Sequence, residues 1–271
     1  ATPVGIDQTN PLSLDLVDNC YIAVCYQTMS KIASLLDKAD DSRGYKAKYD
    51  ALTKRIQDTF YDAKGNTYAS GTQIDLVYPM LAGVTPDNLK ETVLKTLYEV
   101  TANRFQGHLA TGLVGIPVLT EWAVKNGQAE WMYQMLKKRD YPGYLYMLDN
   151  GATTTWEHWN GERSHIHNCY NGIGAWFYQA LAGIMPDESK PGYKHIWIKP
   201  QVVNDISWVQ AFKDTPYGLL KVRWEKKEAS FVLDVQIPVG ASASVALPFP
   251  SESVCVNGQP SQCKEVLELE S

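Results

Sequence analysis

The sequence predicts a mainly α chain that ends in a β-sandwich, on three observations. Apolar residues recur at helical spacing through the first two thirds of the 271 residues. Those helices come as pairs at roughly regular spacing, joined by short polar turns. Near Met185-Pro186 the texture changes to alternating apolar and polar residues. Helical hairpins followed by a sandwich indicate two domains, 1–188 and 189–271. A toroid of paired helices, even a partial one, gathers its interhelix loops at one end.

The first helix is predicted over Asp15 to Leu36, from Leu16, Ile22, Ala23, Met29, Ile32 and Ala33. Tyr45 to Phe60 repeats the pattern through Tyr49, Leu52 and Ile56. The polar run Asp62-Ala63-Lys64-Gly65-Asn66 then turns the chain. Thr72 to Leu81 is a third helix, with Pro79 as a kink or stop. Thr85-Pro86 starts a fourth, Thr85 as N-cap and Pro86 in the first turn, ending near Asn103. Thr111 to Val124 and Ala129 to Lys138 form the next pair around Asn126-Gly127. Tyr141-Pro142-Gly143-Tyr144 breaks the pattern, and a loop follows. Tyr170 to Gly183 is an apolar helix whose small residues Gly172, Gly174 and Ala175 permit close packing. The segments 196–198, 219–224, 230–237 and 241–247 read as strands of the sandwich.

Bulk properties narrow the function classes. Hydrophobic residues are 45% and charged residues 20%, ordinary for a globular protein. A net charge of −5 argues against nucleic acid as a partner, which calls for a basic patch. No apolar run approaches the ~20 residues of a membrane span, and the short polar stretch Ala1 to Asn10 has no secretory pattern. The 16 Tyr and 8 Trp against 6 Phe fit a cleft for polar ligands, because a buried Tyr or Trp needs a partner for its polar tip, and equally a large protein with many half-exposed rings. The five cysteines show no Cys-x-x-Cys metal pattern. Cys20 and Cys25 fall on different faces of one helix. Cys255 and Cys263 flank an Asn257-Gly258 turn. Five unpaired, mostly buried thiols are expected, with a Cys255–Cys263 disulfide as the alternative.

The run from Asn150 to Gly161 carries the chemistry. It sets one carboxylate, Glu157, between the indoles of Trp156 and Trp159, with His158, His165 and His167 close behind. Sugars suit such a place, since their C–H faces pack on rings while their hydroxyls need charged partners. Partial desolvation by the rings would tune the carboxylate for acid/base work. The alternative is a Trp pair in the core with Glu157 as a solvated neighbour. In an extended stretch Trp156 and Trp159 point to opposite sides, so one of them is expected in the core. The three histidines match no metal-ligand spacing, and neither a metal nor a cofactor is expected.

These residues resemble the family 78 α-L-rhamnosidases. Gly151 to Trp159 is similar to that family's GATT-x-WE-x-W motif, and other segments agree in order: Gly71-Thr72-Gln73, His108 to Gly115, Tyr141 to Tyr144, and His167 to Gly183. In the tail, Ile198-Lys199-Pro200, Tyr217-Gly218 and Ile237-Pro238-Val239 resemble landmarks of its C-terminal β-domain. The resemblance covers nearly the whole chain. It implies an (α/α)6 barrel and hydrolysis with inversion, with Glu157 as general base activating water against a terminal α-L-rhamnose. It implies that His167 holds a rhamnose hydroxyl or orients the network on the water side, that Trp159 and Trp156 wall the site, and that His108 lies near its mouth. The chain departs from the family pattern at His158, usually Arg, which weakens charge pairing with Glu157, and at Asn160, commonly Asp. Nothing in Ala1 to Asn10 resembles the family's general-acid motif. The chain is therefore expected to be a C-terminal portion holding half of the catalytic pair. A rhamnose-containing glycoside is the expected partner, together with self-association or an N-terminal piece. The alternative is a non-catalytic carbohydrate-binding or assembly module.

Overall fold

A computed structural model describes residues 10–249, 253–261 and 266–270; for Cys169 and 266–270 only the backbone is described. The expectations for Ala1 to Thr9 and for Cys263 lie outside these residues. Cys20, Cys25 and Cys255 are free thiols, but only Cys20 is buried; Cys25 is half-buried, and Cys255, on a small surface hairpin, is exposed. The chain divides into two compact units. One runs to Ala123 and includes Gln134–Ile173; the other joins Val124–Tyr133 to the stretch from Gly174.

The first unit opens with a helical hairpin, α1 (Pro11–Leu35) and α2 (Ala39–Phe60). Helix α1 starts earlier than the apolar spacing predicts, because Asn10 caps it through Oδ1 to the Leu12 amide and Pro11 presets the first turn. Leu16, Val17, Cys20, Ala23 and Ala33 form its buried face. Helix α2 likewise begins before Tyr45, with Asp40 and Asp41 in its first turn, where acidic side chains suit the positive end of the helix dipole. The short strands β1 (Tyr61–Asp62) and β2 (Thr67–Tyr68) pair across the predicted turn.

Helix α3 (Gln73–Leu81) is anchored by a capping box: the Thr72 hydroxyl accepts from the Asp75 amide, and Asp75 accepts from the Thr72 amide. Helix α4 (Asp87–Glu99) continues as a π-helical turn, Val100–Arg104. Thr85 is not its N-cap. Its hydroxyl points inward and accepts from the Tyr68 hydroxyl at 3.0 Å, leaving Pro86 at the cap position.

Helices α5 (Gly115–Lys125) and α6 (Ala129–Leu136) follow, and then α7 (Tyr144–Asp149), a short helix where a loop is predicted. The predicted helix from Tyr170 is instead a 3-10 segment, Asn168–Ile173, and a π-helical segment, Trp176–Leu181. Gly172 lies so close to Pro117 that an added Cβ would sit 3.2 Å from it.

The second unit contains the sandwich. Strands β3 (Ile184–Pro186), β4 (His195–Ile198), β8 (Ser242–Ala246) and β11 (Val266–Glu270) make a four-stranded sheet in the order β11-β8-β4-β3, with β4 and β8 parallel. Strands β5 (Trp208–Thr215), β6 (Gly218–Lys226) and β7 (Phe231–Gln236) make a three-stranded antiparallel meander. Both sheets feed one core of Ile184, Ile196, Ile198, Leu220, Val222 and Val245. A small hairpin, β9 (Val254–Val256) and β10 (Gln259–Ser261), turns at Asn257-Gly258. Both turn residues have positive φ, 51° and 78°, as a type I′ turn requires.

Candidate active site

Glu157 sits in a loop of the first unit that folds back on itself. The Glu157 amide donates to the Ser164 carbonyl at 2.8 Å, and the His167 amide donates to the Thr155 carbonyl at 2.9 Å. Positive φ at Gly161 (77°) and Arg163 (64°) makes the reversal. The threonines of the motif fasten the returning strand. Thr154 donates its hydroxyl to the His165 carbonyl, and Thr155 bonds the His167 carbonyl and the Asn171 side chain.

This reversal gives the carboxylate its environment. Its Oε2 accepts from the Ser164 amide at 3.3 Å, and its Oε1 lies 3.4 Å from the Arg163 guanidinium. The side chain keeps 24% of its exposure. Its pKa is lowered below the ordinary glutamate value, first by the Ser164 amide and then by Arg163, with His167 adding in the same sense. Desolvation acts in the opposite direction and is outweighed, so the upward tuning expected from the flanking rings does not prevail. His158 lies 3.8 Å away with its side chain 44% exposed. The cationic partner that His at position 158 withholds from Glu157 is supplied by Arg163 instead. The sequence signal for Arg163 was slight: a cation two residues beyond a glycine turn.

The two tryptophans are both buried, at 5% and 4% exposure. Trp159 stacks on Tyr170 with centroids 3.9 Å apart, meets the edge of Tyr144 at 5.2 Å, and donates Nε1 to the Thr111 carbonyl. Trp156 stacks on His165 at 4.7 Å. The loop is bent, so the opposite-sides rule for extended chain does not sort them. Tyr144 and Tyr170, which the sequence reading passed over, complete this aromatic packing. The Tyr144 hydroxyl donates to the Tyr170 carbonyl at 2.7 Å, and burial raises its pKa well above the usual tyrosine value.

His108 is 4% exposed, and both its ring nitrogens are engaged, Nδ1 with the Pro142 carbonyl at 2.8 Å and Nε2 with Asp140 at 3.1 Å. It ties down the turn that leads into α7 and Tyr144. Its own segment is held by Gln73, whose Nε2 donates to the His108 carbonyl and whose Oε1 accepts from the Ala110 amide. His167 lies elsewhere in the loop. It lines an open hollow of about 700 Å³ with Thr153, Thr154, Thr155, Ile166 and Asn171. The loop therefore holds Glu157 near enough to His167 for the two to interact electrostatically, with both tryptophans buried and His108 bound at the Asp140–Pro142 turn.

The comparisons agree with this organisation. The model of the bacterial alpha-L-rhamnosidase 6 hairpin glycosidase domain matches residues 2–181, and that of the bacterial alpha-L-rhamnosidase C-terminal domain matches residues 183–261. An alpha-L-rhamnosidase of Formosa agariphila is 29% identical over 263 residues, covering 91% of this chain and 28% of that protein. One from an Alteromonas species is 29% identical over 248 residues, covering 86% and 26%. The solved alpha-L-rhamnosidase from Dictyoglumus thermophilum superposes with a TM-score of 0.84 at 28% identity, over 92% of this chain and 30% of that one. The Streptomyces avermitilis enzyme, solved with L-rhamnose, shares the fold with a TM-score of 0.82 at 24% identity, over 95% and 26%. The chain thus spans between about a quarter and a third of the length of these relatives. It belongs to the bacterial α-L-rhamnosidase family, carrying that family's six-hairpin glycosidase and C-terminal domain sequences.

Proposed function

We propose that this chain supplies the general base of an inverting α-L-rhamnosidase, and that the base is Glu157. The observation that carries the reading is a reachable carboxylate held in its ionised form by the Ser164 amide and Arg163. An ionised carboxylate can take a proton from water as that water attacks the anomeric carbon. His167, which lines the open hollow of the loop and acts electrostatically on Glu157, holds a sugar hydroxyl or orients the attacking water. Trp159 and Trp156 shape the wall from behind, and His108 sets the turn that presents Tyr144 to Trp159. The rhamnose bound in the Streptomyces relative supports the choice of sugar.

Inversion needs a second carboxylic acid about 6.5–9.5 Å from the first, to protonate the leaving group while a water fits between them. The reading assigns that acid to a part of the protein outside the described residues. An activated aryl glycoside, whose leaving group needs little protonation, is then the most sensitive substrate. p-Nitrophenyl α-L-rhamnopyranoside should release p-nitrophenol with β-rhamnose as first product, and Glu157→Gln should lower the rate by about 10²–10⁴-fold. An unchanged rate in Glu157→Gln would overturn the assignment.

A second reading, a non-catalytic sugar-binding or assembly module, is favoured by the exposed apolar residues of α1, among them Tyr21 at 62% and Leu35 at 49%. No turnover with rhamnose still bound would select it.

A further inference from the structure

The outer face of the β5-β6-β7 meander has a residue pattern that the hydrolytic site does not use. Leu220, Val222 and Trp224 of β6 point to the core, so Lys221, Arg223 and Glu225 point out. Strand register places Phe212 and Gln236 on either side of Lys221, and Gln210 and Asp234 on either side of Arg223. A hollow of about 310 Å³ opens on this face, with Asn257 of the β9-β10 turn among its lining residues. That size sits at the lower end of small-ligand sites. Phe212 is 47% exposed, and Trp208, on the same face two rows along, is 57% exposed. Four residues of extended strand set these rings about 13 Å apart.

We propose that this face is a second glycan-binding site, taking a neutral oligosaccharide across Phe212, Arg223 and Asp234. The charges argue for a neutral ligand. Lys221 and Arg223 are matched by Glu225 and Asp234, and Arg223 is already held by Glu225 Oε2 at 3.3 and 3.2 Å. Those same groups offer fixed donors and acceptors to hydroxyls, while the Phe212 ring offers an apolar platform to a C–H face. A protein partner fits less well, because the core of a protein interface is depleted in charged residues and this face carries charge in successive rows. That the glycan bears rhamnose rests on the proposed function; the site itself does not.

The test uses the whole chain carrying Glu157→Gln, so that bound sugar is not turned over. Backbone amide NMR shifts are followed during titration with an α-linked rhamnotriose and, separately, with maltotriose. Saturable shifts at Phe212, Lys221, Arg223 and Asp234 with rhamnotriose are expected. Phe212→Ala, a half-exposed position that leaves the core intact, should weaken them about tenfold, and Asp234→Asn should weaken them with the fold kept. Shifts here with maltotriose but not rhamnotriose would retain the glycan site and count against the rhamnose reading. Shifts confined to Thr153–Asn171, or affinity unchanged in Phe212→Ala, would overturn the proposal. So would shifts on this face that follow protein concentration without sugar, which would mark it as a contact between copies.

Discussion

Glu157 owes its character to backbone geometry more than to its sequence neighbours. The loop reverses at Gly161 and Arg163, and this brings an amide and a guanidinium back to a carboxylate six and seven residues earlier. Because its folded pKa is lowered, Glu157 favours the folded state above its unfolded pKa, and that contribution fades as pH falls through the folded value. Arg163→Gln should move the Glu157 carboxyl partway back toward the ordinary 4.5, since the Ser164 amide remains. A carboxyl-carbon NMR titration reads this directly, and an unmoved midpoint would show that Arg163 contributes nothing. Glu157 was legible as a candidate because its motif is contiguous. Arg163 was not, because the signal that places it is a pair of left-handed residues rather than a spacing.

At the level of elements, two junctions hold neighbouring segments in place, one in each unit. The Thr72–Asp75 capping box starts α3, whose first residue, Gln73, holds the His108–Ala110 segment by its side-chain amide. Thr72→Ala should cost about 1 kcal/mol of stability, seen as an earlier denaturant midpoint with the slope unchanged; no shift would mean that the cap is dispensable. Gly183 has φ of 76°, and a Cβ there would fall 2.2 Å from the Pro200 nitrogen, so the backbone itself would have to move. Gly183→Ala should therefore lower the melting temperature more than Thr72→Ala does. Helix starts were the weak point of reading by apolar spacing. Asn10, Pro11, Asp40 and Asp41 begin helices by capping and dipole effects that carry no hydrophobic period. Helix α7 was missed because six residues are too few to show a period.

For the molecule as a whole, α1 is the most exposed apolar element in the first unit. Leu14, Tyr21, Ile22, Met29 and Ile32 are each 40% or more exposed along it. Large exposed apolar surface favours association. Light scattering should therefore find this chain as an oligomer, and Tyr21→Glu with Met29→Glu should shift it toward the monomer mass. A monomer at all concentrations before mutation would overturn the expectation. In the second unit, β3 begins at Ile184, on the N-terminal side of the 188/189 division drawn from texture. Three residues paired by backbone hydrogen bonds to β4 leave little trace in side-chain pattern.

The sequence by itself determined the class of the molecule, its family and the segment that carries the carboxylate. Apolar period, strand alternation and a contiguous motif are all local properties of the chain. Only the tertiary structure decided what the aromatics and histidines around that segment touch. Burial of both tryptophans against Tyr170 and His165, and the capture of His108 by Asp140 and the Pro142 carbonyl, depend on residues far apart in sequence or on reversals of the backbone. Side-chain roles at a site are set by such three-dimensional neighbours, and linear spacing does not encode them.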